Sequence, residues 1–232
     1  MTTIPTTRRI VAPPVVALGI ILNALAALVF GGLHLLGDPP PLRAVAWPGA
    51  VALTSAYALP AALAAVALRS QRPAALLGAG LLDVPLAFTA ISGVSLILVL
   101  PAACYLVGYA AWTPRPRLGP AAAAGIVAIV AAGIAALLLL FVSPIGQPKG
   151  YCYSWTEDLT GQRSYSPARP ATAIDLSRGS GSGSPGPGAR ATGSGCTSDV
   201  ITPTAAALGL GAAAAALAGS LRLPRAQAPR PA

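Results

Sequence analysis

Charged side chains are scarce in this chain of 232 residues. They make up 9% of it, whereas hydrophobic residues make up 55%, and a typical soluble domain has roughly 25% charged residues. This shortage excludes a soluble globular protein, because so few charges cannot cover a surface of this size. Apolar runs of about 20 residues recur, and each is long enough to cross a hydrocarbon core of about 30 Å. The composition therefore predicts a polytopic helical membrane protein.

Residues that commonly carry catalysis or bind metals are also few. The chain has one histidine and three cysteines. His34 and Asp38 lie four residues apart near the end of the first apolar run, but two ligands are too few for a metal site. No zinc-protease motif or nucleophile motif accompanies them. We therefore assign no catalytic, cofactor-binding or metal-binding residue, and we expect a protein that is not an enzyme.

The net charge of +9 does not indicate nucleic-acid binding. The arginines do not form one basic stripe; they separate the apolar runs, as in proteins that cross a membrane. The expected partner is therefore the lipid bilayer. Heavy use of Ala, Gly, Pro and Arg is typical of a GC-rich bacterial genome, so we expect a multi-pass protein of a bacterial plasma membrane.

The apolar runs predict six transmembrane spans. Residues 74–112 contain one charge, Asp83, and as one helix they would be about 58 Å long. Because that is nearly twice a bilayer core, we divide them at Ser92 and Gly93, which favour a turn. The first run continues to Leu36, too long for the core of a signal peptide, so we expect it to remain uncleaved. The predicted spans are residues 10–36, 45–68, 74–91, 94–112, 120–142 and 201–221.

These spans divide the chain into four parts. Residues 1–142 form a five-span region and residues 143–200 form one long polar loop. Residues 201–221 are the sixth span, and residues 222–232 are a tail.

The arginines of the short loops predict the orientation. Basic residues hold short loops in the cytoplasm, and with six spans only Arg43 falls in a short outer loop. A single crossing by residues 74–112 would largely remove this asymmetry. Both termini are therefore expected in the cytoplasm and residues 143–200 outside. The arginines expected inside are Arg8, Arg9, Arg69, Arg72, Arg115, Arg117, Arg222, Arg225 and Arg230.

Two of the three cysteines lie near the ends of the long loop. Because the outer compartment is oxidising, Cys152 and Cys196 are expected to form a disulfide. This bond would remove a few kcal/mol of conformational entropy from the unfolded chain. Cys104 lies in the middle of an apolar span and is expected to pack as a small hydrophobic residue.

Aromatic residues alternate at the start of this loop. Tyr151, Tyr153 and Trp155 recur every second residue, which is typical of a strand. Residues 159–162 favour a turn, and residues 163–166 are then expected to pair back as a hairpin. Two interpretations of the aromatics remain open: a surface that binds a glycan or peptide, or rings that lie at the membrane interface or pack beneath the loop.

The second half of the loop has a different composition. Residues 178–195 are rich in Gly, Ser and Pro, which is typical of a flexible linker. We therefore expect the outer loop to be disordered in part.

Asp83 is the one ionisable side chain expected deep within a span. A charge there costs about 2.5–3.5 kcal/mol on insertion scales, so it needs a partner or a proton. Pro85 frees a backbone carbonyl nearby. Counting from the span ends places Asn23, Tyr57 and Tyr105 at a similar depth, which predicts a hydrogen-bonded polar layer. This layer is either structural or the proton or cation site of a transporter.

Small residues recur every fourth position in the last two spans. Such faces let helices approach closely in lipid. They predict a close pair of spans, or a contact with another membrane protein or a second copy of the chain. The residues are Ala124, Ala128, Ala132 and Ala136 in span five, and Gly211, Ala215 and Gly219 in span six.

Taken together, these patterns predict an all-α membrane protein with six spans. The favoured function is a non-enzymatic structural or partner-binding role for the outer loop closed by its disulfide. The alternative is a small proton- or cation-coupled transporter centred on Asp83.

Overall fold

The structure is a computed structural model that describes residues 7–36, 39–89, 97–113, 119–141, 150–172, 181–197 and 201–224. Two compact units divide the chain: residues 1–29, 54–138 and 209–232 form the first, and residues 30–53 and 139–208 the second. The described helices are α1 (Thr7–Leu36), α2 (Pro40–Ser70), α3 (Pro73–Thr89), α4 (Val99–Trp112), α5 (Pro120–Phe141) and α6 (Pro203–Ser220). The described strands are β1 (Tyr151–Asp158), β2 (Arg163–Tyr165), β3 (Arg169–Pro170), β4 (Gly181–Gly183) and β5 (Ala189–Thr197).

Several of these helices begin at a proline. Proline is favoured at the first helical position, because its fixed φ already suits a helix and its missing N–H would have no intrahelical partner there. The sequence therefore marks where these helices start. The prolines are Pro40, Pro73, Pro120 and Pro203.

Four helical segments are long and apolar enough to cross a membrane, which supports the predicted class of membrane protein. They are Pro13–Leu33, Val45–Ser70, Pro120–Leu138 and Pro203–Ser220.

The other two helices are apolar but shorter. α3 has 17 residues and α4 has 14, so they are about 25 and 21 Å long, less than a hydrocarbon core of about 30 Å. The structure therefore does not give six equivalent spans. The turn predicted at Ser92 and Gly93 lies outside the described residues.

α3 and α4 pack side by side and run antiparallel. A Cβ added at Gly80 would lie 2.8 Å from the Leu106 side chain, and one added at Gly108 would lie 3.8 Å from Leu76. Residue numbers thus rise along α3 as they fall along α4. Residues 74–112 accordingly contain two antiparallel helices. This division agrees with the prediction made from the length of the run.

α1 packs antiparallel to α4 in the first unit. Gly108 lies directly against the Val16 side chain, and a Cβ added at Gly19 would lie 2.9 Å from the ring of Tyr105. Both glycines thus leave room for a side chain of the facing helix.

α5 packs against both α3 and α6. It runs parallel to α3 and antiparallel to α6. The facing residues are Gly78 with Ile129 and Leu82 with Gly133 for α3, and Gly219 with Ile129 and Leu223 with Gly125 for α6. Arg72, just before α3, also donates a hydrogen bond of 2.6 Å to the carbonyl oxygen of Leu223, just after α6. The start of α3 and the end of α6 therefore lie together.

The predicted ladders of small residues do not form most of this contact. Ala124 and Ala128 of α5 are exposed, as are Gly211 and Ala215 of α6. The contact passes through Gly125 and Ile129 of α5 and Gly219 of α6. One residue corresponds to about 100° around a helix, so a shift of one position moves the ladder off the packed side. Alanine is too common here to identify that side from spacing.

A small antiparallel sheet in the second unit corrects the all-α prediction. Its order is β2-β1-β5-β4, and β3 also pairs with β1. β1 is central and pairs with β5 from Tyr151–Thr197 to Glu157–Ala191. The described part of the chain is therefore mostly helical, and its sheet lies in the segment between α5 and α6.

The predicted hairpin is confirmed by the pairing of β1 with β2. Trp155 lies opposite Tyr165, and Glu157 lies opposite Arg163. At the turn, Asp158 Oδ1 accepts hydrogen bonds from the Thr160 hydroxyl and from the backbone N–H groups of Thr160 and Gln162. The bond from the Thr160 hydroxyl is the main reason that the pKa of the Asp158 carboxyl lies below its usual value.

The flexible-linker prediction for residues 178–195 is wrong for residues 181–183 and 189–195. Residues 181–183 and 189–197 form β4 and β5, while residues 178–180 lie outside the described residues. Glycine is a poor strand former by itself, but here it makes room for aromatic rings. A Cβ at Gly193 would lie 2.6 Å from the Trp155 ring, and one at Gly195 would lie 2.6 Å from the Tyr153 hydroxyl. Cross-strand packing thus overrides the local preference for disorder.

Replacing Gly193 with Ala tests this packing. The added methyl group would overlap the Trp155 ring, and overpacking typically costs about 1–3 kcal/mol. We expect a lower midpoint of thermal unfolding and faster proteolysis of the segment between α5 and α6 in detergent. Gly186→Ala is the matched control, because a Cβ there meets no atom within 4 Å. Equal stability of the two variants would show that the glycine–aromatic contact is unimportant.

Candidate functional site

Asp83 and Asn23 form a buried pair between two helices. Both side chains are 0% exposed, and Asn23 Nδ2 donates a hydrogen bond of 2.7 Å to Asp83 Oδ1. The pair joins α1 to α3 over a separation of 60 residues. Hydrogen bonds between membrane helices contribute about 0.6 kcal/mol on average. Asp83 therefore has a specific partner in the tertiary structure.

Tyr105 of α4 contributes a third polar group to this region. It is 0% exposed, and its ring lies against Gly19, one helical turn before Asn23. Asp83 and Tyr105 are close enough to interact electrostatically. One face of α1 thus contacts Tyr105 through Gly19 and Asp83 through Asn23. We call Asn23, Asp83 and Tyr105 the polar cluster.

Three oxygen atoms of the polar cluster lack partners. They are Asn23 Oδ1, Asp83 Oδ2 and Tyr105 Oη, all buried, and none has a hydrogen-bond partner among the described residues. Buried polar atoms in folded proteins are nearly always paired, and an exception calls for an explanation such as a bound water, an ion or a functional role. The polar cluster therefore contains more hydrogen-bonding atoms than its described contacts satisfy.

Tyr57 and Pro85 were also expected near this site. Tyr57 is buried within α2, at 2% exposure. Pro85 removes the regular helical partner of the Leu81 carbonyl. Leu81 lies about 200° around α3 from Asp83, and its side chain is 42% exposed. The freed carbonyl is therefore on the side of α3 away from the carboxyl group.

His34, Asp38 and Cys104 were the other residues considered for chemistry. Asp38 and the side chain of His34 lie outside the part of the chain that is described. Within that part, no three His, Cys, Asp or Glu residues are grouped closely enough to hold a metal ion. Cys104 is a free thiol beside Tyr105.

A second candidate site is one side of the sheet between α5 and α6. Tyr153 and Trp155 of β1 share this side with Arg163 and Tyr165 of β2, because alternate residues of a strand point the same way. We call these four residues the aromatic face. Tyr153 and Trp155 are half-buried, and Tyr165 is 36% exposed.

Arg163 lies over the Trp155 ring within the aromatic face. Its guanidinium carbon lies 4.6 Å from the centre of the Trp155 ring, a cation–π contact. Its Nε donates a hydrogen bond of 2.8 Å to Glu157, which raises the pKa of Arg163 above its usual value. The rings of Tyr153 and Tyr165 lie 6.2 Å apart. The face thus combines fixed aromatic rings with a fixed charged pair.

The other side of the sheet contains the predicted disulfide. Cys152 and Cys196 are bonded, with their Cα atoms 4.1 Å apart, and they lie directly opposite each other in the β1–β5 register. Ser154 and Ser166 form a hydrogen bond of 3.0 Å on the same side. This side is therefore polar and covalently fixed.

Comparison with known proteins found no similarity. No protein-family model, curated protein or solved structure matches the chain. The function proposed below therefore rests on the two candidate sites and the arrangement of the helices.

Proposed function

We propose that this chain is a six-span protein of a bacterial plasma membrane that presents a partner-binding sheet outside the cell. Both termini lie in the cytoplasm, and α3 and α4, with the residues that join them, make two of the six crossings. The role is non-enzymatic: the helices hold the sheet, and the aromatic face binds another molecule. The bilayer and a second protein are the partners.

The disulfide is the observation that carries this proposal. Disulfides persist in oxidising compartments and are rare in the cytoplasm. The Cys152–Cys196 bond therefore supports an outer location for the sheet. The arginine-rich loops then fall on the cytoplasmic side, as expected from the distribution of basic residues in membrane proteins.

The directions of the packed helices support six crossings. α1, α3 and α5 share one direction, while α4 and α6 run the opposite way, as the facing residues in the first unit indicate. In the second unit, Gly49 near the start of α2 lies against Ile201, just before α6. α2 therefore starts where α6 starts. Such alternation is what a chain crossing the membrane at every helix requires.

Cysteine labelling in intact cells tests the orientation. In a Cys104→Ala background the only remaining cysteines form the disulfide, so each introduced cysteine is the single free thiol. We expect a membrane-impermeant maleimide to label Gly186→Cys and Gly93→Cys without permeabilisation. Gln71→Cys should react only after permeabilisation. Labelling of Gln71→Cys in intact cells would contradict the orientation, and protection of Gly93→Cys would reduce the crossings to four.

The aromatic face has the chemistry of an interaction surface. Tyr, Trp and Arg are the residue types that most often dominate binding energy at protein interfaces. Here Gly193 and Gly195 hold the Trp155 and Tyr153 rings in place. A rigid face loses little conformational entropy when it binds. These features support binding of a partner protein through this side of the sheet.

Photo-crosslinking tests the partner-binding role. A photoreactive phenylalanine analogue at Tyr165 lies on the aromatic face, whereas the same analogue at Ser164 lies on the opposite side of the same strand. Both positions are exposed. We expect a specific adduct from position 165 in living cells and none from position 164. Absence of adducts from both, with normal disulfide formation, would argue against the role.

A second candidate function is proton- or cation-coupled transport. The unpartnered oxygen atoms of the polar cluster favour it, because buried ionisable groups in membrane helices commonly mark transport pathways. Its test is Asp83→Asn in whole-cell solute uptake and export assays, with the outer variant Asp158→Asn as control. We expect a coupled flux to be lost only in Asp83→Asn. An unchanged flux would exclude coupling through this residue.

A further inference from the structure

We propose that the polar cluster binds a single proton, so that Asp83 is a neutral carboxylic acid at neutral pH. This inference goes beyond the role of the outer sheet. It also narrows the second candidate function to a proton as the coupling ion. Protonation of Asp83 can be measured without a transport assay, so the test of this inference does not require that the protein transports anything.

Residues 13–33 of α1 and the described residues of α4 and α5 supply no positive charge to Asp83. Within the described helices packed around it, residues 13–33 of α1 and 120–141 of α5 contain no ionisable side chain. α4 contributes Cys104, Tyr105 and Tyr109, which are neutral or negative. Tyr57 of α2 is likewise uncharged in its protonated state. An ionised Asp83 would therefore be a buried negative charge without a counter-ion, a costly arrangement inside a membrane.

Counting donors and acceptors gives the same answer. With Asp83 ionised, its Oδ2 and Asn23 Oδ1 can only accept, and within the polar cluster the Tyr105 hydroxyl is the one further side-chain group that can donate to them after the Asn23–Asp83 bond. Within these three side chains, one of the two acceptors is then unpaired. A proton on Asp83 Oδ2 adds the missing donor.

The added proton supplies the donor that a closed ring of three hydrogen bonds needs. Asn23 Nδ2–H donates to Asp83 Oδ1, Asp83 Oδ2–H donates to Tyr105 Oη, and Tyr105 Oη–H donates to Asn23 Oδ1. Only the first of these three bonds is already formed. The ring would pair all three atoms that now lack partners.

A metal cation fits this site less well than a proton. Hard cations such as calcium and magnesium take about six or more oxygen ligands, and the cluster offers three unpartnered ones. The carbonyl freed by Pro85 lies on the other side of α3, so it does not extend the set. A proton needs no coordination shell.

Infrared spectroscopy of the purified protein at pH 7 tests the occupancy. A protonated carboxylic acid has a C=O stretch that a carboxylate lacks, and the chain has only six acidic side chains. Ordinary Asp and Glu residues are ionised at this pH, so a single acid band is expected. Isotopic labelling of aspartate should shift the band, which separates it from Glu157 without any substitution.

Variants then assign the band to the cluster. We expect Asp83→Asn to abolish it and the outer control Asp158→Asn to leave it unchanged. Tyr105→Phe should shift its frequency, because the acid proton loses its acceptor; a buried acid outside a hydrogen-bonded cluster would show no shift.

The proposal has clear contrary outcomes. Absence of an acid band from wild-type protein at pH 7 would overturn it, as would retention of the band in Asp83→Asn. If Asp83→Asn fails to fold, the aspartate-labelled wild-type protein and Tyr105→Phe decide the question. An absent band together with a melting temperature raised by sodium, but not by choline, would assign a metal cation instead. If Asp83→Asn loses coupled transport but wild-type protein shows no acid band, the transport role stands and the inference of a bound proton fails.

Discussion

A polar group within a hydrocarbon core must find its partner inside the protein, because no water is available there. This constraint shapes the helical part of the chain. Helices pair their own backbone groups, which leaves the few polar side chains as the specific contacts. Asn23 reaches Asp83 across two helices that are distant in sequence, and Gly19 admits the Tyr105 ring beside them. The packing of α1 against α3 and α4 is therefore set by small residues and one polar cluster.

The sheet between α5 and α6 is stabilised by different means, because a small sheet gains little from burial alone. The Cys152–Cys196 bond fixes two strands in register, and that register brings Tyr153 opposite Gly195 and Trp155 opposite Gly193. The disulfide and the glycine–aromatic contacts therefore support one another. The sheet exposes its aromatic face without relying on a large hydrophobic core, which suits a surface that binds another molecule.

The glycine–aromatic pairs of the sheet can be predicted from the sequence by strand alternation, although composition alone does not suggest them. Once Cys152 is paired with Cys196 in an antiparallel ladder, the alternation of strand residues places Gly195 and Gly193 opposite Tyr153 and Trp155. A Gly/Ser-rich composition instead indicates a linker, and that prediction is wrong for residues 181–183 and 189–195. The small-residue ladders of α5 and α6 show a related limit of spacing: it identifies a face of small residues but not what that face contacts, and much of each ladder is exposed beside the α5–α6 contact.

The sequence by itself determined the class of membrane protein, the division of residues 74–112 into two helices, the cysteine pair and the β1–β2 hairpin. These depend on local hydrophobicity, on helix length and on alternation along one segment. Only the tertiary structure decided that Asn23 is the partner of Asp83 and that β5 pairs with β1. Those facts depend on which elements meet and at what rotation. Each residue of a helix or strand points in one direction only, so its partner depends on how the elements are rotated against each other. Only the packed chain defines that rotation.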